Sequence, residues 1–245
     1  MDSGYYAACT ALISRTEALD TIANNLANAS TVGYRSQHNV FSSVLAEAGS
    51  SADSPLARAI NNYGLLSGTT LDQSQGALQK TGNNLDMAIQ GSGYFVVQTP
   101  NGPMYTRNGS FQVSSKGQLI TNSGDPVMGS NGTITMPPGE VSISADGTIS
   151  SQGAVAGKLK LVQFAPDTTL TSAGETYYSA PPKSEIPATD STVKQGMLES
   201  SNVNPVSSMV ELITAQRSAE MMQRALSMFN SEMDKTATQD LPKIG

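Results

Sequence analysis

The chain has 245 residues, a formal net charge of −6, only 14% charged residues and no tryptophan. This length suits one or two domains and can bury a hydrophobic core. The acidic balance and the lack of a basic tract argue against nucleic acid or an anionic membrane surface as a partner, and a single cysteine, Cys9, excludes an internal disulfide framework.

No apolar run in the sequence approaches the roughly 20 residues that are needed to cross a bilayer, so we expect no direct membrane insertion. The opening Met1-Asp2-Ser3-Gly4 also lacks the positive and continuously apolar regions of a cleaved signal peptide. We therefore expect a cytoplasmic protein or one that is exported by a route that cleaves no signal.

The first predicted element is a helix over residues 3–29. Its apolar residues step by three and four, which places them in one stripe on one helix face; the stripe includes Leu12, Leu19, Ile22 and Leu26. Polar residues and Gly33 provide a stop after it. A short helical or irregular stretch is expected around Val40, Phe41, Val44 and Leu45, followed by a flexible connector that begins at residue 47.

The middle of the chain, from about residue 65 to 193, is predicted to be β structure. Glycines recur there every seven to nine residues between short β-prone runs such as Tyr94-Phe95-Val96-Val97. The pairs Asn101-Gly102, Asn108-Gly109 and Asn131-Gly132 supply the positive φ that tight hairpin turns require. This spacing is typical of an antiparallel β domain and not of βαβ units.

The last predicted element is a helix that begins at Asn204-Pro205, with Asn as the N-cap and Pro at the first helical position. It carries a second apolar stripe with the same three-four spacing, formed by Leu212, Ala215, Ala219, Met222, Leu226, Phe229 and Met233. The two stripes have two possible uses. The helices pack on each other inside one monomer, or they meet helices of other subunits in an assembly.

These elements predict an α+β fold in which long N- and C-terminal helices form a coiled-coil-like domain with an inserted antiparallel all-β domain. We expect residues 1–46 and 197–245 to form the helical assembly domain, 47–75 a connector and 76–196 the β domain. Both chain ends must then return to the same side of the β domain if the stripes are to meet.

Residues with recognisable chemistry are sparse. His38 is the only histidine, and the sequence has no nucleophile elbow, no P-loop and no paired cysteines. We therefore expect no catalytic residues, no metal and no cofactor. The alternative to an assembling subunit is a soluble β-domain binding module with helical arms, which light scattering at rising concentration would distinguish.

Four local strings carry distinctive motifs. The first runs from Ile22 to Asn28, includes Asn24, Asn25, Leu26 and Asn28, and is followed by Thr31-Val32-Gly33-Tyr34-Arg35. The other three are residues 81–97, Tyr105-Thr106-Arg107-Asn108-Gly109-Ser110-Phe111 and residues 196–203. Together these strings, which are collinear over almost the whole chain, resemble the bacterial flagellar basal-body rod protein family. The length suits the proximal- and distal-rod types, and Met1-Asp2-Ser3-Gly4-Tyr5-Tyr6 is closer to the proximal-rod type.

The resemblance implies a non-catalytic subunit that polymerises helically into the axial rod linking motor to hook. Its implied partners are further copies of itself, other rod and hook proteins, and the flagellar type III export apparatus. The stripes would line the inner tube, and the β domain would form the outer layer. Residues 47–63 would reach a neighbouring subunit and stiffen the rod.

Overall fold

A computed structural model describes residues 2–42, 65–137, 139–166, 168–174 and 176–239. Within these ranges the chain forms two long helices, α1 (Asp2–Ala27) and α2 (Pro205–Gln239). Helix α2 begins at the proline that the sequence places at the first helical position. The proposed contact segment, residues 47–63, lies outside the described residues.

Short strands make up most of the remaining regular structure, and every strand pair with a defined register is antiparallel. In chain order they are β1 (Gln37–Ser42), β2 (Leu65–Leu71), β3 (Leu78–Lys80), β4 (Met87–Gln90), β5 (Tyr94–Thr99), β6 (Gly102–Thr106), β7 (Phe111–Val113), β8 (Leu119–Thr121), β9 (Met128–Gly129), β10 (Gly132–Thr133), β11 (Val141–Ile143), β12 (Thr148–Ser151), β13 (Ala154–Lys158), β14 (Leu161–Gln163), β15 (Thr171–Ser172), β16 (Tyr177–Ser179), β17 (Ile186–Pro187), β18 (Thr192–Gln195) and β19 (Met197–Glu199). Of the stretch expected to be helical or irregular, Val40 and Phe41 lie in strand β1, and Val44 and Leu45 lie outside the described residues.

The chain divides into two compact units. The helical unit contains Met1–Leu26, Gln37–Thr69 and Pro205–Gly245, and the β unit contains Ala27–Ser36 and Thr70–Asn204. The last residue of α1 and the nine residues between α1 and β1 thus belong to the β unit, although the chain on either side of them belongs to the helical unit.

A six-stranded sheet, in the order β15-β16-β6-β5-β14-β17, organises the β unit. Strand β5 is buried on both faces because its side chains alternate between two cores. Phe95 and Val97 belong to the larger core, together with Met87, Phe111, Leu119 and Ile149. Tyr94 and Val96 belong to the smaller one, together with Tyr105, Phe164 and Tyr178.

The Asn-Gly pairs have two different uses. Gly102 and Gly132 have positive φ and close the β5–β6 and β9–β10 hairpins, as the sequence predicts. Asn108-Gly109 is not such a turn, because φ of Gly109 is not positive. A glycine is needed there because a Cβ atom would overlap the carbonyl oxygen of Met87.

The prediction of a coiled-coil-like helical domain is wrong, because the described part of the chain shows no coiled coil. A coiled-coil seam buries large apolar side chains, yet the most buried positions of α1 are small or polar, namely Ala11, Ser14, Ala18 and Asn25. Leu12, Leu19, Ile22 and Leu26 are only half-buried. The two helices and the β domain of the predicted α+β fold remain. Neither helix, over its described residues, is long and apolar enough to span a membrane.

A hydrogen-bonded carboxylate, Glu185, lies beside the six-stranded sheet. Lys160 Nζ contacts its Oε2 at 2.7 Å, and the Tyr105 hydroxyl donates to its Oε1 at 2.6 Å. The hydrogen bond from Lys160, and to a smaller extent that from Tyr105, holds the pKa of Glu185 below its ordinary value.

Glu185→Gln is expected to lower the free energy of unfolding at neutral pH by less than about 1 kcal/mol, since the ion pair of Lys160 with Glu185 is partly exposed. A depressed pKa stabilises the fold above the pKa of the unfolded chain, and this stabilisation is lost as pH falls through the folded-state value. Urea unfolding from neutral to acidic pH should therefore show the two proteins converging in acid. Asp190→Asn, at an exposed carboxylate, is the control, and a constant difference at all pH values would contradict the assignment.

Candidate functional site: a buried arginine–glutamate junction

Three charged side chains are buried together in the β unit. Arg35, Arg107 and Glu199, which we call the triad, are only 1–2% exposed. Arg35 Nη2 lies 2.8 Å from Glu199 Oε1, and Arg107 Nη1 lies 3.1 Å from Glu199 Oε2. One carboxylate therefore bridges two guanidinium groups, and the triad carries a formal charge of +1.

Backbone groups supply further hydrogen bonds to the triad, whereas the buried Nε atoms of Arg35 and Arg107 have no hydrogen-bond partner among the described residues. The triad carboxylate accepts a hydrogen bond from the Gly76 amide at 2.9 Å. Arg107 donates to the Gly91 carbonyl at 2.7 Å, and Arg35 donates to the Ser74 carbonyl. Buried charges are tolerated when they are paired and hydrogen-bonded in this way. The triad therefore cross-links separate stretches of backbone.

Aromatic side chains enclose the triad. The Arg107 guanidinium carbon lies 4.8 Å from the centroid of the Tyr94 ring, within the range of a cation–π contact. The Tyr178 hydroxyl accepts a hydrogen bond from the Arg35 amide at 2.9 Å. Burial raises the pKa of both tyrosines, and the two arginines oppose this rise at Tyr94. Burial lowers the pKa of Arg107, and Glu199 opposes that change.

Asn202 provides a second set of cross-links close to the triad. Its Oδ1 accepts a hydrogen bond from the Ser36 amide at 2.7 Å. Its Nδ2 donates to the carbonyls of Asp72 at 3.2 Å and Ser74 at 3.1 Å. We call the four stretches that meet here, residues 31–36, 72–76, 107–109 and 197–203, the junction.

Close backbone contact also holds the junction together. Gly33 has φ of +71° and lies against the backbone of Arg107 and Asn108, so that an added Cβ would be 2.7 Å from Asn108 Cα and closer still to Asn108 N. Only glycine combines this conformation with this contact distance. The junction is therefore a structural cross-link between stretches of the β unit. In the described ranges, no group of three His, Cys, Asp or Glu side chains is placed to hold a metal.

The residues predicted from the family strings fall into two groups. Asn28, Thr31, Gly33 and Tyr34 belong to the β unit, where Thr31 Oγ1 donates to Asn28 Oδ1 at 3.1 Å and the last two residues are buried in the junction. The other three lie on α1 in the helical unit: Asn24 is exposed, Leu26 is half-buried, and Asn25 is buried and bonds both backbone groups of Gln37, at 2.7 and 2.9 Å.

The stripe residues of α2 form the more buried side of that helix. Ala219 and Leu226 are buried, whereas Leu212, Ala215 and Met222 are half-buried. The side chains of Phe229 and Met233 lie outside the described residues.

Helix α2 also carries large exposed apolar side chains, which the sequence analysis missed. At about 100° per residue, they lie within a sector of roughly 120° opposite the stripe. This exposed α2 face consists of Val206, Met209, Val210, Ile213, Met221 and Met228, with exposed fractions from 50 to 72%. Arg217, Glu220 and Arg224 share the sector. A plot of all apolar residues on a helical wheel, and not only the best stripe, would have revealed it.

No member of the triad was predicted from the sequence as a site residue, although Arg35, Arg107 and Glu199 all occur in the quoted strings. A charged residue in a polar string gives no sign that it is buried. Residues 107 and 199 are 92 positions apart, so only the fold brings them together.

Three stretches match family models of flagellar axial proteins. Residues 6–35 match the model described as "Flagella basal body rod protein", residues 88–151 match "Flagellar hook protein FlgE/F/G D1 domain", and residues 194–240 match "Flagellar basal body rod FlgEFG protein C-terminal". Each matched stretch contains one member of the triad.

Curated relatives match over nearly the whole chain. The flagellar basal-body rod protein FlgF of Caulobacter vibrioides is 34% identical over all of both chains. FlgF of Escherichia coli is 37% identical over 93% of this chain and 94% of its own. The rod protein FlgG of Buchnera aphidicola subsp. Schizaphis graminum is 34% identical over 89% of this chain and 92% of its own.

Proposed function

Because the chain belongs to the flagellar basal-body rod protein family, we propose that it is a structural subunit that polymerises helically into the rod, the shaft linking motor to hook. The observation that carries this proposal is the exposed α2 face. A helix with apolar residues on two opposite sides can bury one side in its own subunit and still offer the other to a neighbour.

Polymerisation through this face would be heterologous. The residues of the exposed α2 face have exposed fractions of 50–72%, and Ile13 on α1, a different surface, has an exposed fraction of 60%. The exposed α2 face of one copy could therefore contact an unlike surface, such as that around Ile13, of the next copy. Contact between unlike patches repeats from copy to copy and produces a helical filament when the rotation does not close. The charges of Arg217, Glu220 and Arg224 within the face would fix the register of the contact, since opposite charges across an interface select one alignment.

Ile213→Asp is expected to abolish incorporation into rods while leaving the thermal unfolding midpoint of the purified subunit within a few degrees of wild type. Ile213 is 50% exposed, so a charge there is solvated in the monomer but would be buried at an interface. Basal bodies would be isolated from a strain that expresses the variant. Gln223→Asp, at an exposed polar position of the same helix, is the control. Normal rods with Ile213→Asp would exclude the exposed α2 face as the contact.

Leu226→Asp distinguishes the role of the stripe from that of the exposed α2 face. Leu226 is only 9% exposed, so aspartate at this position should lower the stability of the subunit itself as well as its assembly. The stripe residues remain candidates for subunit contacts through their half-buried surface.

The remaining elements of the function follow from the same family. We propose that other rod and hook proteins are neighbours of this subunit in the basal body, and that the flagellar type III apparatus exports it without cleaving a signal. In this proposal residues 1–46 and 197–245 serve assembly, 76–196 form the outer layer, and the connector, residues 47–75, includes the segment that reaches a neighbour. The role is structural and requires no catalytic residue, metal or cofactor.

A further inference from the structure

The β unit holds one short stretch of its own chain as a protein holds a bound peptide. Residues 31–36, which we call the docked segment, have no helix or strand and lie between α1 and β1. They belong to the β unit as part of residues 27–36, whereas the stretches on either side, residues 2–26 and 37–42, belong to the helical unit. The segment therefore enters and leaves the surface that holds it within ten residues.

Hydrogen bonds to its backbone groups fix the docked segment, as main-chain hydrogen bonds fix a bound peptide. Its amide groups donate to the Glu199 carbonyl at 2.8 Å, the Tyr178 hydroxyl at 2.9 Å and Asn202 Oδ1 at 2.7 Å. Its carbonyl groups accept from the amides of Asp72 at 2.8 Å and Asn202 at 3.4 Å.

Three consecutive side-chain positions give the contact its specificity. Gly33 has no room for a Cβ atom, Tyr34 is 3% exposed, and Arg35 is 1% exposed and completes the triad. If the docked segment leaves, Arg107 and Glu199 remain paired on the surface that receives it. This pair is neutral, so the empty surface does not carry an unpaired buried charge. The surface therefore selects a segment with the sequence glycine–aromatic–arginine in which the glycine closes a turn with a positive φ.

We propose that the β unit carries a peptide-binding groove for this sequence, that the groove is filled here by the chain's own docked segment, and that it accepts the docked segment of a second copy once its own is displaced. Every copy carries both the groove and the segment, so the second copy is the occupant that the chemistry fits. The exchange would link subunits independently of the exposed α2 face.

The test uses the full-length chain with Gly33→Val, in which the valine side chain keeps the chain's own segment from docking. A fluorescein-labelled peptide of residues 27–36 is titrated with this variant and with wild type, and binding is followed by fluorescence anisotropy. We expect saturable binding to the variant and none to wild type, whose groove is filled. A peptide with Arg35→Met should bind at least about tenfold more weakly, because hydrogen bonds to a charged group are lost.

Equal binding to both chains, equal binding of both peptides, or no binding to a folded Gly33→Val chain would each overturn the proposal. If Gly33→Val fails to fold, the variant is instead followed by near-UV circular dichroism while saturating peptide is added. We then expect the peptide to restore the near-UV signal of the folded chain. A second acceptor, Tyr34→Ser with Arg35→Ser, removes the anchors without a backbone clash. If Gly33→Val does not fold, and neither it nor the second acceptor binds the peptide or refolds with it, the groove does not exist. None of these outcomes bears on rod incorporation, which the Ile213→Asp variant tests separately.

Discussion

Replacing Glu199 with glutamine is expected to lower the free energy of unfolding by about 3–5 kcal/mol, the usual cost of leaving buried charge uncompensated. Glutamine keeps the size of the side chain but removes the negative charge that faces both guanidinium groups. The formal charge of the triad then rises from +1 to +2 at positions that are 1–2% exposed. Arginine does not lose its proton in proteins, so the charge cannot be relieved by deprotonation.

The arginine variants should be less harmful than the glutamate variant. Arg35→Met leaves the contact of Arg107 with Glu199 in place, and Arg107→Met leaves that of Arg35 with Glu199. Each remaining pair is neutral, so the loss is limited to hydrogen bonds and packing. The urea midpoint should therefore be highest for wild type, lower for either arginine variant and lowest for Glu199→Gln.

Equilibrium urea unfolding, followed by circular dichroism, measures these differences. Glu140→Gln is the matched control because it makes the same chemical change at an exposed position of the β unit. If Glu199→Gln were no more destabilising than Glu140→Gln, the triad would not hold the junction together.

Gly33→Ala should lower the free energy of unfolding by about 2–4 kcal/mol, combining the cost of a left-handed backbone conformation with that of overpacking. The φ of Gly33 is +71°, and a Cβ atom there would overlap the backbone of residue 108. Backbone cannot move aside as the end of a side chain does, so the docked segment must shift and loosen its hydrogen bonds to the junction.

Gly82→Ala distinguishes the cost of the left-handed backbone conformation from the cost of overpacking. Gly82 has nearly the same φ, +77°, but a Cβ atom there would meet nothing within 4 Å. This variant should lose only the conformational cost, about 1 kcal/mol. Thermal unfolding of the two alanine variants against wild type makes the comparison, and equal losses would mean that contact with residue 108 has no energetic weight.

The sequence by itself determined the features that depend on neighbours along the chain. The three-four spacing gave α1 and α2, Asn204-Pro205 gave the start of α2, and Asn101-Gly102 and Asn131-Gly132 gave hairpin turns. The family strings identified the rod protein family because they are local and collinear. Periodicity and positive φ act within a few residues, so each can be recognised without knowledge of the fold.

Only the tertiary structure decided how these elements are used. Periodicity shows that a helix has an apolar side but not how deeply that side is buried, and for this reason the coiled-coil-like domain was wrongly predicted and the exposed α2 face was missed. Asn108-Gly109 matched the signal for a tight turn, yet its glycine is required by contact with the carbonyl of Met87. The triad joins Arg107 to a carboxylate 92 residues further along the chain. Its burial and pairing arise from long-range packing, and no local pattern of residues encodes them.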